Sequence, residues 1–118
     1  MLLSKQQILG MDDLPHEDIE VPEWGGTVRV RVMTGVERDA WETSIYQNKG
    51  DDVQVNQENF RASLVARCLS DESGAILFST EEIKQLGTKS SIALDRIFTV
   101  ARRLNAISKA DKDELTKN

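Results

Sequence analysis

Few residues in this chain could do chemistry, and their spacing gives them little to work with. His16 is the sole histidine and stands in the acidic run His16-Glu17-Asp18. An imidazole beside carboxylates can act as a general base. Here, however, it heads an alternating segment and reads as an exposed residue at the start of a strand. Cys68 is the single cysteine, so an intrachain disulfide is impossible and a thiolate metal site lacks partners. It falls on the apolar stripe of a helix, which predicts a buried, inert thiol. A serine nucleophile would have only His16 as its base. Asp51-Asp52 and the set Asp111, Asp113, Glu114 lack the alternating oxygen ligands and the glycine of a calcium loop. Gly25-Gly26 has neither the spacing nor the following lysine of a phosphate loop. The residues point away from an enzyme and call for no cofactor and no metal.

The bulk composition agrees with a binding domain. The 118 residues are 39% hydrophobic, 30% charged and 5% aromatic, enough for one aliphatic core under a well-solvated surface. The formal charge of −5 weighs against nonspecific phosphate binding. Met1 to Gly10 holds too short an apolar stretch for a secretion signal. No run approaches the ~20 apolar residues of a membrane span. The chain is therefore expected to remain in the cytosol, with no membrane partner.

The elements that must position these residues read as α+β, a small antiparallel β-hairpin or sheet packed against a mainly helical body. Residues 1–107 are expected to form a single domain, and 108–118 a polar carboxy-terminal tail. Ser4 to Leu9 reads as a short helix with Ser4 as N-cap and Gly10 as stop, and Asp12 to Pro15 as a turn. Ile19 and Val21 alternate with Asp18 and Glu20, and Val28, Val30 and Val32 with Arg29 and Arg31, the period of half-buried strands. With Glu23 to Gly26 as the loop, the register sets Val21 against Val28, Ile19 against Val30, Glu20 against Arg29 and Asp18 against Arg31.

Thr34 and Glu37 fit a capping box opening a helix to about Gln47. Its inner face is Val36, Ala40, Trp41, Ser44 and Ile45, with Arg38, Asp39 and Glu42 opposite. Asn48 to Asp52 reads as a polar loop and the most mobile segment. A second helix runs from about Gln57 to Leu69, with Phe60, Leu64, Val65 and Cys68 inward and Arg61 and Arg67 outward. Ser70 to Gly74 is a turn, and Ala75 to Phe78 a short extended run. Ser79 to Glu82 is a further capping box before a short helix ending at Gly87. A long helix from about Ser90 to Ile107 carries Leu94, Ile97, Phe98, Ala101 and Leu104 at helical spacing.

Two features bear on partners. Thr80 to Leu86, the Gly87-Thr88-Lys89 turn and the helix from Ser90 form a succession like a helix-turn-helix, with Lys89, Arg96, Arg102 and Arg103 as phosphate contacts. The amino-terminal end of a recognition helix normally meets the bases. Here it offers Ser90, Ser91 and Asp95, and Asp95 would repel phosphate. A DNA-binding regulator is thus the alternative reading, and a nucleic-acid partner is not expected. Trp24, at the tip of the hairpin, is the candidate protein-binding residue, since tryptophan is enriched at binding hot spots. Its other reading is that it folds back over the hairpin's own apolar face.

The order of segments also carries a resemblance. Val21-Pro22-Glu23-Trp24-Gly25-Gly26-Thr27-Val28-Arg29-Val30-Arg31-Val32-Met33-Thr34-Gly35 is followed by Glu37-Arg38-Asp39, Leu64 to Leu69, Asp71-Glu72, Leu77-Phe78-Ser79, Leu86-Gly87, Lys89-Ser90 and Leu104-Asn105. Together, over roughly Ile19 to Asn105, these resemble the tail assembly chaperones of long-tailed bacteriophages. The resemblance implies a non-enzymatic protein that binds and solubilises the tape measure protein and helps recruit subunits of the major tail tube protein. It further implies work in the host cytoplasm and absence from the mature virion. Whether the chain forms a homo-oligomer stays open at this point.

Overall fold

A computed structural model of the chain describes residues 1–49, 52–55 and 59–107. The element order is α1 (Lys5–Leu9), β1 (His16–Val21), β2 (Gly26–Arg31), α2 (Gly35–Ile45), β3 (Tyr46–Lys49), β4 (Asp52–Val55), α3 (Phe60–Cys68), β5 (Leu69–Ser70), α4 (Ile83–Leu86) and α5 (Ser91–Leu104). Helices on a small antiparallel sheet make the α+β class expected from the sequence. The tail 108–118 and the expected helix start at Gln57 lie outside the described residues. So do Gly50 and Asp51 of the expected polar loop, whose flanks pair instead as the antiparallel strands β3 and β4.

The hairpin forms, but its register differs by two residues from the expected one. Ile19 lies opposite Val28, Asp18 opposite Arg29, Glu20 opposite Thr27 and Val21 opposite Gly26. Proline is the cause. Pro22 has no N–H to give to a ladder and a φ already suited to a turn. Pro22–Trp24 therefore coil into a single 3-10 turn, which Gly25 closes at φ 68. That left-handed conformation strains any residue with a Cβ. The Gly25 N–H donates to the Pro22 carbonyl at 3.1 Å. A shift of two keeps every side chain on its face, so Val21 and Val30 remain fully buried. The ion pair changes: Arg29 holds Asp18 through two hydrogen bonds of 2.7 and 2.9 Å, and the expected Glu20–Arg29 pair does not form.

Two residues of β5 complete the sheet, in the order β1-β2-β5. The helix expected to reach Leu69 stops at Cys68, and Leu69 pairs antiparallel with Val30. From the Ala75 to Phe78 run, the Leu77 N–H reaches back to the Leu69 carbonyl at 3.0 Å.

Helix α3 lies at the centre, with Ala62 to Ala66 and Cys68 all buried. Its Arg61 faces outward as expected, whereas Arg67 is half-buried. Beside it runs α5, whose Leu94, Ile97, Phe98 and Ala101 fill the core as their spacing requires. Each such large side chain contributes roughly 1.5–3 kcal/mol. The rings of Trp41, Phe60 and Phe98 form a tilted series with both centroid spacings at 5.9 Å. Gly87 permits the close approach of α4 to α3, because a Cβ there would sit 2.6 Å from the Asn59 side-chain oxygen.

Helix α2 turns a different face inward from the one expected. Its capping box is present, with Thr34 accepting from the Glu37 N–H at 3.1 Å and Glu37 accepting from the Thr34 N–H at 2.8 Å. Trp41 and Ile45 are buried, but Val36 is 80% exposed and Ala40 is exposed. The inner stripe is Glu37, Arg38, Trp41 and Ile45. It is set by polar contacts that residue type alone does not reveal. Glu37 receives both terminal nitrogens of the buried Arg31 at 2.9 Å, and Arg38 donates to the Asn105 carbonyl at 2.8 Å.

Candidate functional site

Candidate binding surface is sought where apolar groups line a groove or stand exposed, and two such places stand out. The first grows from the Pro22–Trp24 turn. Because that turn coils at the end of β1, it sets Trp24 half-buried against the core, which includes the hairpin's own Val21 and Val30. Phe78 from the extended run and Leu86 from α4 lie on the same groove. Together with Gln85, Thr88 and Lys89 they line a groove of about 580 Å³. Its floor is apolar and its rim polar, an arrangement suited to an apolar side chain flanked by hydrogen-bonding groups. Trp24, the residue singled out by sequence, thus sits in a groove and not at a free tip.

The second place was not anticipated as a surface. The helix at Lys5–Leu9 forms as expected, with a complete capping box between Ser4 and Gln7 and a stop at Gly10, yet it buries no residue. Met1, Leu2, Leu3, Ile8, Leu9 and Met11 are all at least 46% exposed. A sequence signal was available. Six large apolar residues fall in eleven positions around an element too short to carry them into a core.

Charge around these places is largely paired. Arg96 bonds Glu23 at 2.8 Å, and Arg103 bonds both Glu17 oxygens at 2.8 Å. The hydrogen bond from Arg96 holds the Glu23 carboxyl below its usual range, and the one from Arg29 does the same to Asp18. Two of the cations expected to face phosphate therefore meet carboxylates of β1 and its turn. The first helix of the helix-turn-helix reading is a 3-10 turn, Thr80–Glu82, leading into the four residues of α4.

The reactive residues are likewise quiet. Cys68 is buried, and burial pushes its thiol up to about 12, leaving almost no thiolate near neutral pH. His16 is exposed at the first position of β1. Among the described residues no group of three or more His, Cys, Asp or Glu could hold a metal ion. None of their helices is long and apolar enough to cross a membrane.

Comparison with known proteins agrees with this geometry. None of the curated proteins compared with the chain matches it. A solved structure of the bacteriophage HK97 tail assembly chaperone superposes with a TM-score of 0.56 at 20% identity, covering 84% of this chain and 94% of that one. At that identity the likeness is one of fold. The family model for the phage tail assembly chaperone matches residues 10–118. That match spans nearly the whole sequence, and the chain belongs to the phage tail assembly chaperone family.

Proposed function

We propose that this chain binds the tape measure protein of its phage, keeps it soluble, and helps recruit major tail tube subunits before the tube closes around it. The reading places its work in the host cytoplasm and its departure before the virion is complete. It assigns the protein no catalytic role. The family match over residues 10–118 carries the proposal. The groove around Trp24 supports it, as an apolar floor on which a client side chain can be shielded from water.

The test is co-expression. Alone, a long helical protein awaiting its tube is expected to aggregate through its apolar faces. With this chain it moves into the soluble fraction and co-purifies. The complex survives moderate salt, because ions screen apolar burial little. A tape measure protein that stays insoluble with this chain present, or that is soluble and never co-purifies, overturns the proposal.

A further inference from the structure

We propose that Arg67 and the pocket beside it receive a carboxylate carried on an Asp or Glu side chain of a protein partner. Arg67 stands half-buried in the last turn of α3, where a cation suits the negative end of the helix. Yet its Nε is fully buried and has no hydrogen-bond partner. A guanidinium held out of water without a counter-charge is costly, and its donors call for acceptors. Glu37 lines the same pocket but is committed elsewhere: Arg31 donates to both its oxygens at 2.9 Å. Glu82 turns one oxygen back onto the Ser79 N–H and hydroxyl, at 2.9 and 3.1 Å. The acceptor that Arg67 lacks has to come from another molecule.

The pocket suits that group. It holds about 110 Å³, several times the room that one water needs. Ile76, Phe78 and Ile83, all half-buried, are among its walls. Apolar walls lower the local dielectric, which strengthens a charge-assisted bond to the guanidinium. They also match the methylenes behind a side-chain carboxylate. Thr80 lines the pocket and is exposed, so its hydroxyl can add a donor. One guanidinium balances one negative charge; a phosphate dianion would leave an excess beside Glu37 and Glu82. The formal −5 of the chain repels free anions arriving from bulk solvent. A carboxylate brought in by a partner's other contacts escapes that penalty. Phe78 also lines the Trp24 groove, so the two cavities are neighbours on one surface. The inference names a chemistry and does not depend on the tape measure reading; its test contains no tail protein.

Heteronuclear NMR on the full-length chain tests it. The probe is the α-amide of N-acetyl-glutamate, whose side-chain carboxylate is free. The uncharged N-acetyl-glutamine amide and sodium chloride serve as controls at matched ionic strength. The Arg67 Nε–H signal is identified by assignment and by its absence from Arg67→Lys. The glutamate probe should shift that signal saturably over the millimolar range, together with the backbone amides of Ser79 and Thr80, and neither control should. Arg67→Gln, its fold verified by far-UV circular dichroism, should bind the probe at least about tenfold more weakly, as read from the Ser79 and Thr80 amides. Free acetate should bind more weakly than the glutamate probe, because it lacks the methylenes that the walls cover. A wild-type Arg67 signal that moves no further with the glutamate probe than with the controls overturns the proposal. So does undiminished binding by Arg67→Gln. Acetate binding more tightly than the probe would overturn it too, by making the pocket a site for a free anion.

Discussion

Two helices of this chain begin alike and end in different places. In α1 the Ser4 hydroxyl accepts from the Gln7 N–H at 3.1 Å; in α5 the Ser90 hydroxyl accepts from the Ile92 and Ala93 N–H groups at 3.2 Å. Yet α1 buries nothing, while α5 buries Ala93, Leu94, Ile97, Phe98 and Ala101. Capping chemistry starts a helix; only apolar spacing sustained over several turns makes it part of a core. The apolar residues of the amino-terminal arm, positions 1–11, are as numerous for its length, but they have no face to share. They stay outside the core.

That contrast can be broken by experiment, and the largest effect should come from α5. Phe98→Ala empties a core position that is 4% exposed and should cost about 3–5 kcal/mol in a denaturant melt. An unchanged midpoint would mean that α5 is not the core helix.

Next comes the polar stripe of α2. Glu37→Gln keeps a capping group for Thr34 but leaves Arg31, 7% exposed, without its counter-charge, at a cost of about 2 kcal/mol near neutral pH. The hydrogen bond from Arg31 lowers the Glu37 carboxyl below its ordinary 4.5. Its contribution is therefore complete above that value and lost as pH falls below it toward the folded-state pKa. Wild type should lose stability through that acid range more steeply than the variant. Parallel curves would assign the stability to some other group.

A smaller effect distinguishes the two registers of the hairpin. A double-mutant cycle at low salt should find coupling between Asp18 and Arg29 and none between Glu20 and Arg29. The reverse would restore the register without the Pro22 turn. Smallest of all, Leu2→Ser, Leu3→Ser, Ile8→Ser and Leu9→Ser together in the arm should shift the unfolding free energy by no more than about 0.5 kcal/mol. A loss near that of Phe98→Ala would make the arm part of the fold.

Much of this was legible in the sequence because it is local. The caps at Ser4, Thr34 and Ser79, the stops at Gly10 and Gly87, the valine alternation of the hairpin and the stripe of α5 each depend on residues within a turn or two. The α+β class followed from them. What escaped depends on contacts distant in sequence. The inner face of α2 is decided by Arg31 and Asn105; from hydrophobicity alone, Val36 belonged inside. The two residues of β5 are a strand only because Val30 lies beside them. Asn105 reads as an ordinary polar residue near a helix end, yet it accepts from the Met33 N–H at 2.7 Å and donates to the Ala101 carbonyl at 2.8 Å. Trp24 was singled out by type, as the one tryptophan at a turn, and the structure places it beside a groove. Phe78 and Leu86, which line that groove with it, were not, since nothing local links position 24 to position 86. The arm escaped for the opposite reason: its helix was plain, but exposure is visible only once the rest of the chain is seen to pack without it.

The central proposal is that this family member meets the tape measure protein through the Trp24 groove and not through its core. Amide hydrogen exchange on the chain, alone and bound to the tape measure protein, tests it most directly. The account predicts added protection at Trp24–Gly26 and Leu86–Lys89, with α3 unchanged. Protection confined to α3 or to the far end of β1, with the groove exchanging as in the free chain, would contradict it.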